Sequence, residues 1–172
     1  PSGSYTLKLS YSAGGTDGIE LEPNDAKGVS QSLSLNTPLV GTISAGNDLD
    51  WYAFSVSGAG KLTLNIKTEQ SQSNYGFEVF ILDAAENVLS STICDYSSCN
   101  SGYDLTAGVS SGGTHYVVVR SEATSRPPTG SYTLKLSFSA GNTDGIELEP
   151  NDTKSVSQSL SFTAPLLGTI SA

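Results

Sequence analysis

Oxygen-bearing side chains are concentrated in the phrase GGTDGIELEPND, near the start of the sequence. In an extended segment Glu20 and Glu22 project to the same side, and Pro23 disfavours the helical conformation at the residue before it. Asn24 and Asp25 follow at a turn, where short side chains can fold back toward the same point. We therefore expect four oxygen-bearing side chains to converge within six residues, an arrangement typical of cation sites.

A second group of oxygen-bearing side chains follows in the phrase GNDLDW. Asp48 and Asp50 share one face of an extended segment, and Asn47 lies next to them. Two such groups together would suit Ca²⁺, which accepts irregular oxygen coordination, better than Mg²⁺, which requires a near-ideal octahedron. The alternative is a solvated acidic turn that only keeps the chain soluble. Asp17 is a further carboxylate nearby.

The acidic phrase occurs again as GNTDGIELEPND, 127 residues later. Residues 1–45 and 128–172 are identical at 36 of 45 positions, which predicts a unit of 127 residues repeated in tandem. Recent duplication alone would produce this identity, so it is not by itself evidence of function. The second copy has no following GNDLDW and carries a partial set of ligands: Glu147, Glu149, Asn151 and Asp152.

The repeat also predicts the domain organisation. Residues 1–13 would be the closing strand of a preceding repeat, residues 14–141 a complete β-sandwich, and residues 142–172 the opening segment of a following repeat. The chain would then be an internal fragment of a mature protein.

The dominant hydrophobic period is two, which is typical of half-buried strands. SYTLKLSFS places Tyr132, Leu134 and Leu136 on one face, and KLTLNIKTE and WYAFSV alternate in the same way. YGFEVFILD and THYVVVRS are apolar on both faces for part of their length, as central strands packed from both sides would be. Turn-forming clusters of Gly, Asn and Ser separate these runs. The pattern predicts an all-β fold, an antiparallel β-sandwich of about eight short strands.

Five phrases together resemble the bacterial pre-peptidase C-terminal domain. They are ELEPND, PLVGTIS, GNDLDWYAFSV, GGTHYVVV and GSYTLKL, in that order over about residues 18–139. That family is a jelly-roll-like β-sandwich, similar to the collagen-binding domains of clostridial collagenases. The resemblance implies a non-catalytic module appended to secreted enzymes or surface proteins, which in some members binds calcium and in others a polymeric substrate.

The resemblance also implies a set of calcium ligands. Carried onto this sequence, the predicted ligands are Glu20, Glu22, Asn24, Asp25, Asp48 and Asp50.

The two cysteines, Cys94 and Cys99, lie close together in TICDYSSCNSG. A zinc site would normally require four Cys or His ligands, and His115 is the only histidine, so we do not expect one. We predict a disulfide, which implies an oxidising compartment. The alternative is two free thiols in a polar loop.

The overall charge and hydropathy exclude two classes of partner. The net charge of −9 argues against a nucleic-acid partner, whose phosphates require a basic face. No apolar run approaches the roughly 20 residues that a membrane span requires, so we expect no membrane insertion. The predicted disulfide and the resemblance to the bacterial pre-peptidase C-terminal domain imply an extracellular protein of the bacterial type, secreted or on the cell surface.

We do not expect this chain to be an enzyme. A Ser-His-Asp site would have to use His115, which lies in a strand whose neighbours are structural. No nucleophile elbow, zinc-protease or phosphate-loop motif occurs.

Two functions that are not enzymatic remain. The first is a calcium-stabilised structural or adhesive repeat of a larger extracellular protein. The alternative is a module that holds a polysaccharide or a fibrous protein near a secreted hydrolase such as a peptidase. Such modules present exposed aromatic side chains. For Trp51 the alternative interpretation is that it packs within the fold. The candidate aromatics are Tyr75, Tyr96, Tyr103 and Trp51.

Residues 1–12 and residues 147–172 would lie outside the complete domain, and neither segment can form a domain alone. Unpaired amphipathic strands seek a sheet edge. We expect them to dock onto the domain or across neighbouring molecules, giving head-to-tail or strand-exchanged association. In a longer protein their partners would be neighbouring repeats.

Overall fold

The computed structural model describes residues 18–68, 76–122, 130–141, 143, 145–151, 153–160 and 164–168. Two five-stranded sheets contain all ten strands of this region. The strands are β1 (Gln31–Ser32), β2 (Leu39–Ile43), β3 (Leu49–Val56), β4 (Gly60–Thr68), β5 (Phe77–Leu82), β6 (Val88–Cys94), β7 (Tyr103–Val109), β8 (Gly113–Ser121), β9 (Gly130–Ala140) and β10 (Leu148–Glu149).

The first sheet has the strand order β1-β3-β8-β5-β6, and the second has the order β10-β7-β4-β9-β2. The eight strands from β2 to β9 are joined by antiparallel pairs, which confirms the predicted all-β sandwich. The sequence did not predict β1 and β10, which add in parallel to β3 and β7. Each has only two residues, too few to leave a periodic pattern.

Alternate side chains of the long strands fill the space between the sheets. Leu62, Leu64 and Ile66 of β4 are buried, and so are Leu134 and Leu136 of β9. Each fully buried side chain of this size contributes about 1.5–3 kcal/mol to folding. The inward faces predicted from the period of two are therefore confirmed for these strands.

The strands β5 and β8 are central in the first sheet, as their apolar composition predicted. On their outer face Trp51, Val118 and Phe80 occupy directly opposite positions on three neighbouring strands. The Arg120 guanidinium lies over the Phe80 ring, 4.9 Å from its centroid. Cross-strand neighbours thus cover part of this outer face, where the sequence suggested a second packing layer.

A four-residue helix, α1 (Tyr96–Cys99), reverses the chain after β6. Asp95 caps it, because its Oδ1 atom accepts hydrogen bonds from the amides of Ser97 at 2.9 Å and Ser98 at 2.8 Å. Hydrogen bonds from the Ser97 hydroxyl and the Ser98 amide lower the pKa of Asp95 to about 2. The turn brings Cys99 back to Cys94, and the predicted disulfide is confirmed with both residues buried.

Reduction of this disulfide is expected to lower the free energy of unfolding by about 2 kcal/mol, because it releases a short closed loop in the unfolded chain. Guanidinium unfolding curves of the oxidised protein and of protein reduced by dithiothreitol measure the difference. Thiol titration verifies complete reduction. Equal midpoints in the two states would contradict this expectation.

Within the described residues, the helices are too short to cross a bilayer.

Candidate metal centre

The acidic phrase bridges the two sheets at one end of the sandwich. We call residues 18–25 the first acidic segment. The amide of Glu20 donates to the Val40 carbonyl of β2 at 2.9 Å, and the Trp51 amide of β3 donates to the Asn24 carbonyl at 2.9 Å. Because β2 and β3 belong to different sheets, backbone hydrogen bonds hold this segment across the gap between them.

Five carboxylates meet in this region in two overlapping clusters. One contains Glu20, Glu22 and Asp50, and the other contains Glu22, Asp25 and Asp48. In each cluster one oxygen of every member lies within 4.8 Å of the others. All the carboxylates predicted from the first acidic segment and from GNDLDW are therefore brought together.

Asn24 lies among these carboxylates, because its Nδ2 atom donates to Glu20 Oε1 at 3.3 Å. Asn24 and Asp50 are fully buried, and Asp48 is nearly so, whereas Glu22 and Asp25 are exposed. The inner end of the site, at Asn24, Asp48 and Asp50, is thus buried, and its outer end is open to solvent.

Backbone amides orient the carboxylates. Glu20 Oε2 accepts from the Thr42 amide at 2.7 Å, and Asp48 Oδ2 accepts from the Ser44 amide at 2.5 Å. Glu22 Oε2 accepts from the Asn24 amide at 3.1 Å. These bonds hold the charged groups in place at little entropic cost, as a preformed site requires.

Two tyrosines form the floor of the site, and sequence reasoning missed both. The Tyr52 hydroxyl donates to Glu20 Oε1 at 2.5 Å, and the Tyr132 hydroxyl donates to Asp50. The two hydroxyl oxygens are 2.6 Å apart. The alternation of apolar and polar residues in β3 and β9 predicts that both tyrosines lie in the core. No sequence signal shows that their hydroxyl groups reach the acidic end of the core.

Gly41 explains how Tyr132 reaches the site. The two residues are directly paired between β2 and β9, and a Cβ atom at Gly41 would overlap the Tyr132 ring and hydroxyl. The glycine in PLVGTIS therefore makes room for a phenol that contacts Asp50.

Two buried oxygens of the site have no partner among the described residues. Asn24 Oδ1 and Asp50 Oδ1 are buried and accept no hydrogen bond there. A buried polar atom without a partner costs about 1–3 kcal/mol. Oxygen atoms of this kind, beside four more carboxylates, fit the ligand preference of a hard cation such as Ca²⁺.

Burial and the neighbouring carboxylates make it unfavourable to ionise Asp50 and Glu22. Burial raises the pKa of Asp50 from 3.8 to about 9, and the charges of Glu20 and Asp48 add to this effect. Burial, together with the charges of Asp48, Glu20 and Asp25, raises the pKa of Glu22. A bound cation would reverse the effect and favour the ionised forms.

The second copy of the phrase forms the same local structure. We call residues 145–151 the second acidic segment. Asn151 Nδ2 donates to Glu147 Oε1 at 3.0 Å, and the Asn151 amide donates to Glu149 Oε2 at 2.9 Å. Asp152 lies outside the described residues. Among the described residues of this copy, none corresponds to Asp48 or Asp50.

His115 is a core residue in this structure. It is buried, stacks on the Phe54 ring at 5.7 Å and places Nδ1 3.1 Å from the Gly113 carbonyl oxygen. This environment agrees with the structural role that the sequence suggested for His115.

The structure describes two of the four candidate aromatic side chains. Trp51 is half-buried on the first sheet and packs edge-on against Tyr116, with ring centroids 5.7 Å apart. Tyr103 is exposed and belongs to the second sheet. Tyr75 and the side chain of Tyr96 lie outside the described residues.

The sequence matches no protein-family model and no curated protein. The structure is similar to the pre-peptidase C-terminal domain of a collagenase from Bacillus anthracis, the kind of domain that the sequence motifs resemble. The identity is 19%, the match covers 63% of this chain and 94% of that chain, and the TM-score is 0.48.

Two other solved structures show comparable or weaker similarity. PliG from Aeromonas hydrophila, a periplasmic inhibitor of g-type lysozyme, is 12% identical over 64% of this chain and 96% of that chain, with a TM-score of 0.45. A family 6 carbohydrate-binding module from Clostridium cellulolyticum, in complex with xylose, is 13% identical over 62% of this chain and 74% of that chain, with a TM-score of 0.28.

Proposed function

We propose that this chain is a non-catalytic, calcium-binding β-sandwich repeat with a structural or adhesive role in a larger extracellular protein. The observation that carries this proposal is the convergence of six oxygen-bearing side chains, two of which present buried oxygens that find no partner among the residues the structure describes. The disulfide agrees with an oxidising, extracellular location.

The donor set favours calcium over other common metals. It consists of carboxylates and one amide, which are hard oxygen ligands, and the two clusters contain neither cysteine nor histidine. Calcium accepts six to eight such oxygens in irregular arrangements. The residues that would hold it are Glu20, Glu22, Asn24, Asp25, Asp48 and Asp50.

Calcium would supply positive charge at the junction of the two sheets. The first acidic segment already bonds to β2 and β3, but its carboxylates repel one another and disfavour the ionised form of Asp50. A cation bound there would cancel the repulsion and cross-link the segment to both sheets. In a tandem array this segment begins each repeat, so calcium would stiffen the start of every unit.

The placement of the aromatic side chains favours the structural repeat over the substrate-binding module. Trp51 and Tyr103 lie on different sheets and do not form one platform. Trp51 also packs against Tyr116, which agrees with a packing role.

Calcium titration of the thermal unfolding transition tests the proposal. Extracellular modules bind calcium with dissociation constants of about 10⁻⁴–10⁻³ M. Free calcium at about ten times that value should add about 1.4 kcal/mol and raise Tm by roughly 5 °C over the value in chelator. Magnesium at the same concentration should have a smaller effect.

The repeat provides a matched control for this experiment. The Glu20→Ala/Glu22→Ala variant should lose most of the calcium response. The Glu147→Ala/Glu149→Ala variant changes the same phrase in the copy without Asp48 and Asp50, and it should keep the response. A parent protein whose Tm is the same in calcium and in chelator would overturn the proposed function, and equal responses in the two variants would place the ion elsewhere.

A further inference from the structure

The first acidic segment leaves a small apolar surface open to solvent. Ile19 is 60% exposed, Leu21 is 47% exposed and Val40, which forms a parallel bridge with Ile19, is 46% exposed. Within the described region, the backbone of residues 21–22 belongs to no strand. Clustered apolar side chains beside an unpaired extended backbone are typical of a docking strand.

The second acidic segment shows what this surface contacts. Its residues Leu148 and Glu149, which correspond to Leu21 and Glu22, form β10 and add in parallel to β7. In the register, Leu148 pairs with Gly108, and Glu149 pairs with Val109. The Ser110 hydroxyl donates to the Glu149 carbonyl at 3.3 Å.

Docking covers the side chains that the first segment leaves exposed. Ile146 and Leu148 are half-buried, whereas their counterparts Ile19 and Leu21 are exposed. Ile146 lies beside Leu89 of β6 and Ala107 of β7, which line the same small cavity. The edge of β7 therefore provides an apolar surface against which the second acidic segment packs.

The two segments have the same shape, so both fit the same surface. The Leu21 amide donates to Gln31 Oε1 at 2.8 Å, and the Leu148 amide donates to Gln158 Oε1 at 2.7 Å. The same glutamines donate from Nε2 to the carbonyls of Ile19 and Ile146, at 2.8 Å and 2.9 Å. Each phrase is therefore folded by its own neighbours, independently of β7.

Gly108 makes the close approach possible. A Cβ atom there would overlap the Glu147 carbonyl oxygen and lie 3.0 Å from Leu148 Cδ2. The β7 edge is thus shaped for a strand that passes very near its backbone.

We propose that residues 19–22 are a docking strand whose partner is the β7 edge of another copy of this domain, which in a tandem array is the preceding unit. Each unit would then close the open β7 edge of the unit before it, at a fixed register. In this chain the second acidic segment already occupies the β7 edge, so the chain should be monomeric until that segment is displaced. The inference does not depend on calcium.

The first test examines docking within the chain. Gly108→Ala should accelerate amide hydrogen exchange at Glu149, in the part of the segment that pairs with β7, by about tenfold or more, because the segment can no longer pack on β7. The Glu147 and Leu148 amides bond to Leu167 and Gln158 and should change less. Exchange in β4, the other neighbour of β7, should stay unchanged. Gly58→Ala is the matched control, since a Cβ atom there meets nothing within 4 Å. Unchanged exchange at Glu149 in Gly108→Ala would overturn the proposal.

The second test examines docking between molecules of the full chain. Ile146→Gln/Leu148→Gln should displace the second segment and free the β7 edge. Light scattering should then show a mass that rises with concentration, while the parent and the exposed-site control Leu160→Gln stay monomeric. Adding Ile19→Gln/Leu21→Gln, or adding Gly108→Ala, should restore the monomer.

Three results would contradict the docking strand. The Ile146→Gln/Leu148→Gln variant could stay monomeric at millimolar concentration, or its second segment could keep its exchange protection, which would show that these side chains do not drive docking. Association that persists when Ile19 and Leu21 are also replaced would show that another surface is responsible.

Discussion

Replacement of Tyr132 by alanine is expected to lower the free energy of unfolding by about 3–5 kcal/mol, the usual cost of removing a large buried aromatic side chain. Tyr132 is almost completely buried, packs edge-on against Phe77 at 5.9 Å and contacts both Glu20 and Asp50 through its hydroxyl. Urea unfolding in chelator measures the loss without any contribution from calcium.

Tyr132→Phe separates packing from hydrogen bonding. It keeps the ring and removes the donor to Asp50, so its cost should be about 1–2 kcal/mol, well below that of the alanine variant. If the two variants were equally destabilised, the hydroxyl contacts and not the ring would dominate. If neither lost stability, Tyr132 would not hold the core and the site together.

Asp50→Asn is expected to weaken calcium binding about 100-fold, or about 2.7 kcal/mol, because it removes the buried carboxylate of the site while keeping its shape. Calorimetric titration measures the affinity. In chelator near pH 7 the variant should be more stable than the parent, because the folded parent must hold a proton on Asp50 that the unfolded chain has lost, whereas asparagine resembles the neutral acid and carries no such cost.

The raised pKa of Asp50 also predicts how stability depends on pH. Between 3.8 and about 9 the folded protein holds a proton on Asp50 that the unfolded chain has lost. Stability in chelator should therefore fall as pH rises through this window. Asp50→Asn should flatten the dependence, and so should saturating calcium, which holds the carboxylate in its ionised form.

Thermal unfolding of both proteins from about pH 5 to pH 9 checks this expectation. An equally steep pH dependence in the parent and in Asp50→Asn would show that Asp50 is not the group responsible. An Asp50→Asn variant that binds calcium as tightly as the parent would remove Asp50 from the ligand set.

The sequence alone was sufficient for features that depend on near neighbours. The period of two identified the inward faces of β4 and β9, because alternation along a strand requires no knowledge of its partners. The spacing in ELEPND predicted the convergence of Glu20, Glu22 and Asn24, and the same hydrogen bonds form in the second copy. The disulfide was predicted because Cys94 and Cys99 are only five positions apart and lie in a polar loop.

Only the tertiary structure decided which distant segments meet at the site. Alternation places Tyr52 and Tyr132 in the core, but it does not show that β3 and β9 bring their hydroxyl oxygens to within 2.6 Å of each other beside Asp50. It equally cannot show that Trp51 and Tyr103 belong to different sheets. Strand order is set by long-range pairing, which a local pattern does not encode.

The two acidic segments show this division most clearly. Their nearly identical sequences form the same local hydrogen bonds, because those bonds join residues within 12 positions of each other. Yet the first segment lies against Asp50 of β3, while the second forms a strand on β7. The local sequence determines the shape of each segment. Its contacts depend on which strands lie beside it in the folded chain, and those strands come from distant parts of the sequence.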